Sequence, residues 1–197
     1  MIDELIHFYR RGEPPFRSLS ALPDGDAAAM MRDLYVPGAV FWERFKEPGQ
    51  YLQARRAVEA WLRCDFVAKG GVPQQPYPIY MVLGMTKWLA AAADAVTLAT
   101  TADIRVPLSL FAECDVSFTY PDSMASFMLA QQPDAAYYLA DYHGKVFTLR
   151  EIRAIVESNG LPGERWGTDL PNYLANYIEA QVWNHEPLWT YRNQCTA

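Results

Sequence analysis

"DVSFTYPDS" (115–123) decides the fold. Val116, Phe118 and Tyr120 alternate with Ser117 and Thr119. Successive side chains of a strand point to opposite faces, so this spacing predicts a strand with one apolar and one polar face. Pro121 follows, and Asp122 or Ser123 is placed to cap a helix over "SMASFMLAQQ". "YIEAQVW" (177–183) repeats the alternation, with Ile178, Ala180 and Val182 opposed to Tyr177, Glu179, Gln181 and Trp183. "ADIRVPL" (102–108) reads as a third strand, with Arg105 opposite Ile104, Val106 and Leu108, and Pro107 pushes it toward an edge. "IYMVLG" (79–84) reads as a buried strand and "GKVFTL" (144–149) as another.

Helical signals surround these strands. Ile2, Leu5, Ile6 and Tyr9 recur at helical spacing, Arg10 and Arg11 suit a helix C-terminus, and Gly12 with Pro14 and Pro15 forms a stop. Residues 3–11 therefore read as a short helix. Further helices are expected from about Asp24, over "VFWERF", over about 50–69, from Thr86 to about Ala99, and over "DAAYYLADY" (134–142). Glu59 and Arg63 form an i,i+4 pair on the longest of these. Thr148-Leu149-Arg150-Glu151 is a capping box. Strands and helices mix without a βαβ rhythm. The expected fold is α+β, a helical N-terminal third (1–71) packed with a small, mostly antiparallel sheet in a mixed part (79–197). The Pro- and Gln-rich loop 72–78 is the one candidate boundary, and a single domain over 1–197 is expected.

Composition excludes several functions. Residues 1–70 carry ten acids and ten bases, whereas residues 71–197 carry thirteen and seven. No basic stripe exists for a phosphate backbone, which argues against nucleic-acid binding. The most apolar window, 88–100, contains Asp94 and is too short to span a bilayer, so no membrane role is expected. Three cysteines without CxxC spacing argue against a disulfide framework or zinc site. With no signal-like N-terminus, a cytoplasmic location is expected. Phosphate-loop, dinucleotide-fingerprint, nucleophile-elbow and zinc-helix motifs are all absent. The glycine-rich "GLPGERWGT" (160–168) follows a helix rather than a strand, the wrong context for a phosphate cradle. His7, His143 and His185 have no ligand spacing. Neither a metal nor another cofactor is implied.

The polar strand faces are the place to look for a site. If the strands are neighbours, one face collects Arg105, Ser117, Thr119, Glu179 and Gln181, flanked by Tyr177 and Trp183. Donors and acceptors framed by aromatics could form a ligand floor. The competing reading is a solvated or helix-covered face, with Arg105 and Glu179 as a surface ion pair. Phe41, Trp42 and Phe45 are candidates for an exposed patch that docks a protein.

The order of "YRRG" (9–12), "SFT" (117–119) and "EAQ" (179–181) resembles that of the Arg–Ser–Glu ADP-ribosyltransferases. The resemblance implies NAD as ligand, with Arg10 on a phosphate and Glu179 orienting the ribose. Gln181 stands where that family has its catalytic glutamate. The main expectation is a protein- or small-ligand-binding protein without a standard catalytic motif. The alternative is an enzyme acting on a nucleotide or other polar small molecule.

Overall fold

The computed structural model describes residues 3–39, 42–92, 99–163 and 175–195. Its centre is a five-stranded antiparallel sheet: β1 (Glu4–Arg10), β2 (Ile79–Leu83), β3 (Thr101–Pro107), β4 (Val116–Thr119) and β5 (Glu179–Val182). The order across the sheet is β3-β1-β2-β5-β4. The six helices among the described residues are α1 (Asp24–Leu34), α2 (Pro48–Ala68), α3 (Lys87–Ala92), α4 (Ser123–Leu129), α5 (Leu149–Asn159) and α6 (Glu186–Cys195). The fold is α+β, and its helical N-terminal part lies largely in α1 and α2.

Residues 4–10 form a strand, not the helix that their spacing predicts. Leu5, Ile6 and His7 are consecutive and all buried. A helix on a core shows one stripe, but an inner strand buries successive residues on opposite faces. β1 pairs along its whole length with β3 and, through Leu5 and Ile6, with β2. Tertiary pairing overrides the local pattern. The stop signals keep their meaning: Gly12 adopts φ +88° in the turn that leaves the strand. Phe16 also has positive φ, +62°, rare for a bulky side chain. Its burial and the bond from its N–H to His7 Nε2 (2.9 Å) hold it there.

Alternation reads the paired strands correctly. Val116 and Phe118 of β4, Ala180 and Val182 of β5, and Ile79, Met81 and Leu83 of β2 enter the main core with Leu149, Ile152 and Leu188. The opposite sheet face meets α2 and α4, where Val58, Leu62, Phe66 and Trp183 form a second cluster. Thr148 and Glu151 make the reciprocal bonds of the capping box.

Other expectations change. Residues 144–149 contribute one bridge, Phe118 to Phe147, rather than a strand. Residues 134–142 form turns rather than a helix. α6 has no counterpart in the sequence reading. The helix after Thr86 is described over α3, and residues 93–98 of that expected helix lie outside the described residues. Most of the expected loop "LPGERWGTDLPN" (161–172) lies outside them too. Glu59 turns inward to Arg55 (3.1 Å), while Arg63 donates to the carbonyls of Gln75 and Pro73, so the expected Glu59–Arg63 pair does not form. No described helix is long and apolar enough to cross a membrane.

Candidate functional site

The helix-facing side of the sheet has two ends of different character. At the β4–β5 end, register sets Ser117 opposite Gln181 and Thr119 opposite Glu179. Trp183 Nε1 donates to Ser117 Oγ (2.9 Å), and that hydroxyl donates to Gln181 Oε1 (2.9 Å). Gln181 Nε2 donates to Thr119 Oγ1 (3.1 Å) and reaches Glu179 Oε2 (3.3 Å). Ser117, Thr119 and Gln181 are fully buried. Phe66 stacks on the Trp183 ring at 6.4 Å. Buried polar groups need partners, and here they satisfy one another.

At the β1–β2 end the same face is hollow. A cavity of about 570 Å³ lies among Ile6, Tyr80, Val82, Tyr177 and Glu179 of the sheet side, Met30 and Leu34 of α1, Trp42 and Phe45, Tyr51 and Arg55 of α2, Leu89 of α3, and Asp122 to Met124 at the start of α4. Arg10, Glu13, Arg17 and Ser18 border it as well. The volume falls within the range that holds a small molecule, and the walls are mostly apolar and aromatic. Arg55 ties the roof together. It bonds Ser20 Oγ (3.1 Å), Glu59 Oε1 (3.1 Å) and Tyr51 Oη (3.3 Å), and its guanidinium lies 4.3 Å from the centre of the Tyr80 ring. Tyr80 Oη donates to the same Glu59 oxygen.

The polar end of the hollow holds two carboxyls. Asp122 is the N-cap of α4 and accepts from Ala125 N (3.1 Å). Glu179 accepts from Ser123 N (2.9 Å), one residue into the same helix. Burial, then the neighbouring Asp122 carboxyl, pushes Glu179 up to about 7, against the hydrogen bonds from Ser123 and the charge of Arg55. Burial also raises Asp122, moderated by the backbone N–H groups that it caps and by Arg44. Two carboxyls so placed resist ionising together. Near neutral pH one of them readily keeps or exchanges a proton.

His7 borders the cavity without being free for chemistry. Its Nδ1 bonds Tyr80 O (2.9 Å), and its Nε2 accepts from Phe16 N. Since Nε2 accepts, the proton sits on Nδ1 and the ring is neutral. Burial lowers its pKa to about 4. His7 is a staple that holds the segment after β1 against β2.

Five of the seven residues proposed from sequence meet in the filled end: Ser117, Thr119, Glu179, Gln181 and Trp183. Of these, Glu179 also borders the hollow, together with Tyr177. Arg105 is elsewhere. It lies on edge strand β3, three strand spacings from β5, and pairs with Glu4 at 2.6 Å and Asp103 at 3.8 Å. The expected Arg105–Glu179 pair does not form. The aromatic patch is not an open surface either: Phe45 is buried against Tyr51, half-buried Trp42 borders the cavity, and Phe41 lies outside the described residues. Of the ADP-ribosyltransferase-like positions, Arg10 and Glu179 border the hollow, whereas Ser117 and Gln181 are bonded to each other in the filled end. No group of three or more His, Cys, Asp or Glu among the described residues is gathered as a metal site.

Sequence reasoning weighs Asp122 as an exposed site carboxylate against a helix cap and favours the cap, and it misses Trp42, Tyr51 and Arg55 as cavity walls. The nearest signal was the N-terminal stretch "IHFYRRGEPPFRSL" (6–19), most of which borders the cavity. Fold and site together define an α+β protein with a small-molecule-sized hollow between its sheet and its helical layer. No protein-family description, no characterised protein and no solved structure matches the chain.

Proposed function

We propose that this protein binds a small molecule in the hollow between β1, β2 and the α1–α2 layer. One observation carries the reading: a cavity of about 570 Å³ with mostly apolar walls and two carboxyls at one end, Glu179 buried and Asp122 half-buried. Apolar walls supply affinity by removing ligand surface from water, and a few placed polar groups fix orientation. A neutral dye that brightens in apolar surroundings, 1-N-phenylnaphthylamine, tests this. Saturable binding is expected, weakened at least about tenfold by Met30→Trp, which fills the hollow from α1. A dye that does not bind, or binds the folded variant equally well, removes this reading. A cytoplasmic setting belongs to the same proposal, as two of the cysteines, Cys64 and Cys114, are free thiols.

The second reading is an enzyme acting on a nucleotide such as NAD, favoured by Arg10 and Glu179 bordering one cavity. NAD hydrolysis by wild type, lost in Glu179→Ala, would support it. No turnover, or undiminished turnover by the variant, would sink it.

A further inference from the structure

The polar end of the hollow is acidic: Glu179 is buried and Asp122 half-buried. Asp122 and Glu179 have no Lys or Arg within ion-pair distance among the described residues. The cations nearby are engaged or largely solvated: Arg55 is bound by Glu59, Arg17 pairs with Glu13, Arg10 is exposed, and Arg44, also exposed, favours the Asp122 carboxylate from beyond ion-pair distance. An exposed guanidinium is satisfied by water, whereas a buried carboxylate needs a proton or a cation. Independently, Ser18 borders the hollow at 7% exposure, and its hydroxyl has no partner among the described residues. The Trp42 indole N–H on the same wall is likewise unpartnered among them.

We propose that the hollow takes an organic cation, an ammonium or guanidinium group on an apolar or aromatic body, with its charged head against Asp122 and Glu179. This rests on the small-molecule reading above and names the ligand class. Trp42, Tyr51 and Tyr177 line the hollow, and aromatic rings attract cations most strongly where water is excluded. The Ser18 hydroxyl supplies a further acceptor. The cation takes over the role of the proton held by the carboxyl pair, so binding expels that proton to solvent and leaves the ammonium beside a carboxylate. The groups that face Glu179 are Asp122 and Ser123 of α4, Tyr177, Tyr80 of β2, Arg55 of α2 and, farther out, Arg44. Only the Asp122–Glu179 pair has a site in that set that exchanges a proton near neutral pH.

The test is calorimetric titration of the full chain with 4-phenylbutylamine, 4-phenyl-1-butanol and 4-phenylbutyrate, at pH 6 and pH 8. The amine should bind at least about tenfold more tightly than the alcohol at pH 8. Its affinity should fall about tenfold at pH 6, as the ionised fraction of the pair falls. Buffers of different ionisation enthalpy should report proton release at pH 6. Glu179→Gln, shown to be folded by circular dichroism, should erase the amine preference and its pH dependence, whereas Arg105→Gln, outside the hollow, should keep both. Equal binding of the alcohol, tighter binding of the butyrate, or an amine preference that survives Glu179→Gln would overturn the inference. If phenylnaphthylamine binds wild type and the amine does not displace it, the cation inference falls and the small-molecule reading stands. If neither compound binds, both fall.

Discussion

The two ends of one sheet face differ in how their polar groups are satisfied. At the β4–β5 end, Trp183, Ser117, Gln181 and Thr119 bond one another and α2 packs over them. At the β1–β2 end the helical layer stands off, and Asp122 with Glu179 borders open volume. Glu179 belongs to both, bonded to Gln181 on one side and bordering the cavity on the other. Closed networks make a fold specific, whereas incompletely satisfied groups at a cavity mark places where a ligand can add contacts.

The largest expected effect contrasts the two ends directly. Trp183→Ala should cost about 3–5 kcal/mol in urea unfolding, through lost burial, a new void and the lost indole donor to Ser117. Trp42→Ala, on the wall of an existing void, should cost less than about 1.5 kcal/mol. Equal losses would mean that the β1–β2 end is packed as tightly as the other.

Next comes the pH dependence of Glu179. Its folded pKa of about 7 lies above the ordinary 4.5. The stability contributed by its protonated form is therefore full below about 4.5 and lost as pH rises to 7. Glu179→Gln should be more stable than wild type at pH 8, by roughly 3 kcal/mol if the shift belongs to this group alone, and should gain nothing at pH 4. His7 and His143, both held near 4 by burial, work in the opposite sense, since stability from their neutral rings is lost as pH falls from 6.5. They titrate in both proteins, so the difference between variant and wild type isolates the carboxyl. A flat difference from pH 4 to 8 would place Glu179 in an ordinary, solvated setting. The smallest effect belongs outside both ends: Arg105→Gln breaks an exposed pair with Glu4 and should change stability by less than about 1 kcal/mol.

How much of this was legible follows from what each pattern encodes. Alternation in 116–120 and 177–183 records which side chains share a face, so Ser117, Thr119, Glu179 and Gln181 came out together. It carries no strand order, so Arg105 was grouped with them although β1 and β2 intervene. It also does not reveal what covers a face: the polar face is buried under helices because its groups bond internally. Leu5, Ile6 and Tyr9 satisfy a helical spacing by coincidence, and only pairing on both sides makes 4–10 a strand. The hollow was the least legible part. Its walls come from α1, α2, α3, four strands and the start of α4, and a void between elements leaves no periodicity in any of them.

The most direct measurement is amide and indole chemical-shift mapping on the isotopically labelled protein during addition of 1-N-phenylnaphthylamine. Shifts should concentrate at the Trp42 indole, Ser18, Tyr177, Glu179 and Ser123, with the Trp183 indole and the amides of Ser117 and Val116 nearly still. Shifts centred on Trp183, or scattered over the surface with Trp42 and Glu179 unmoved, would contradict it.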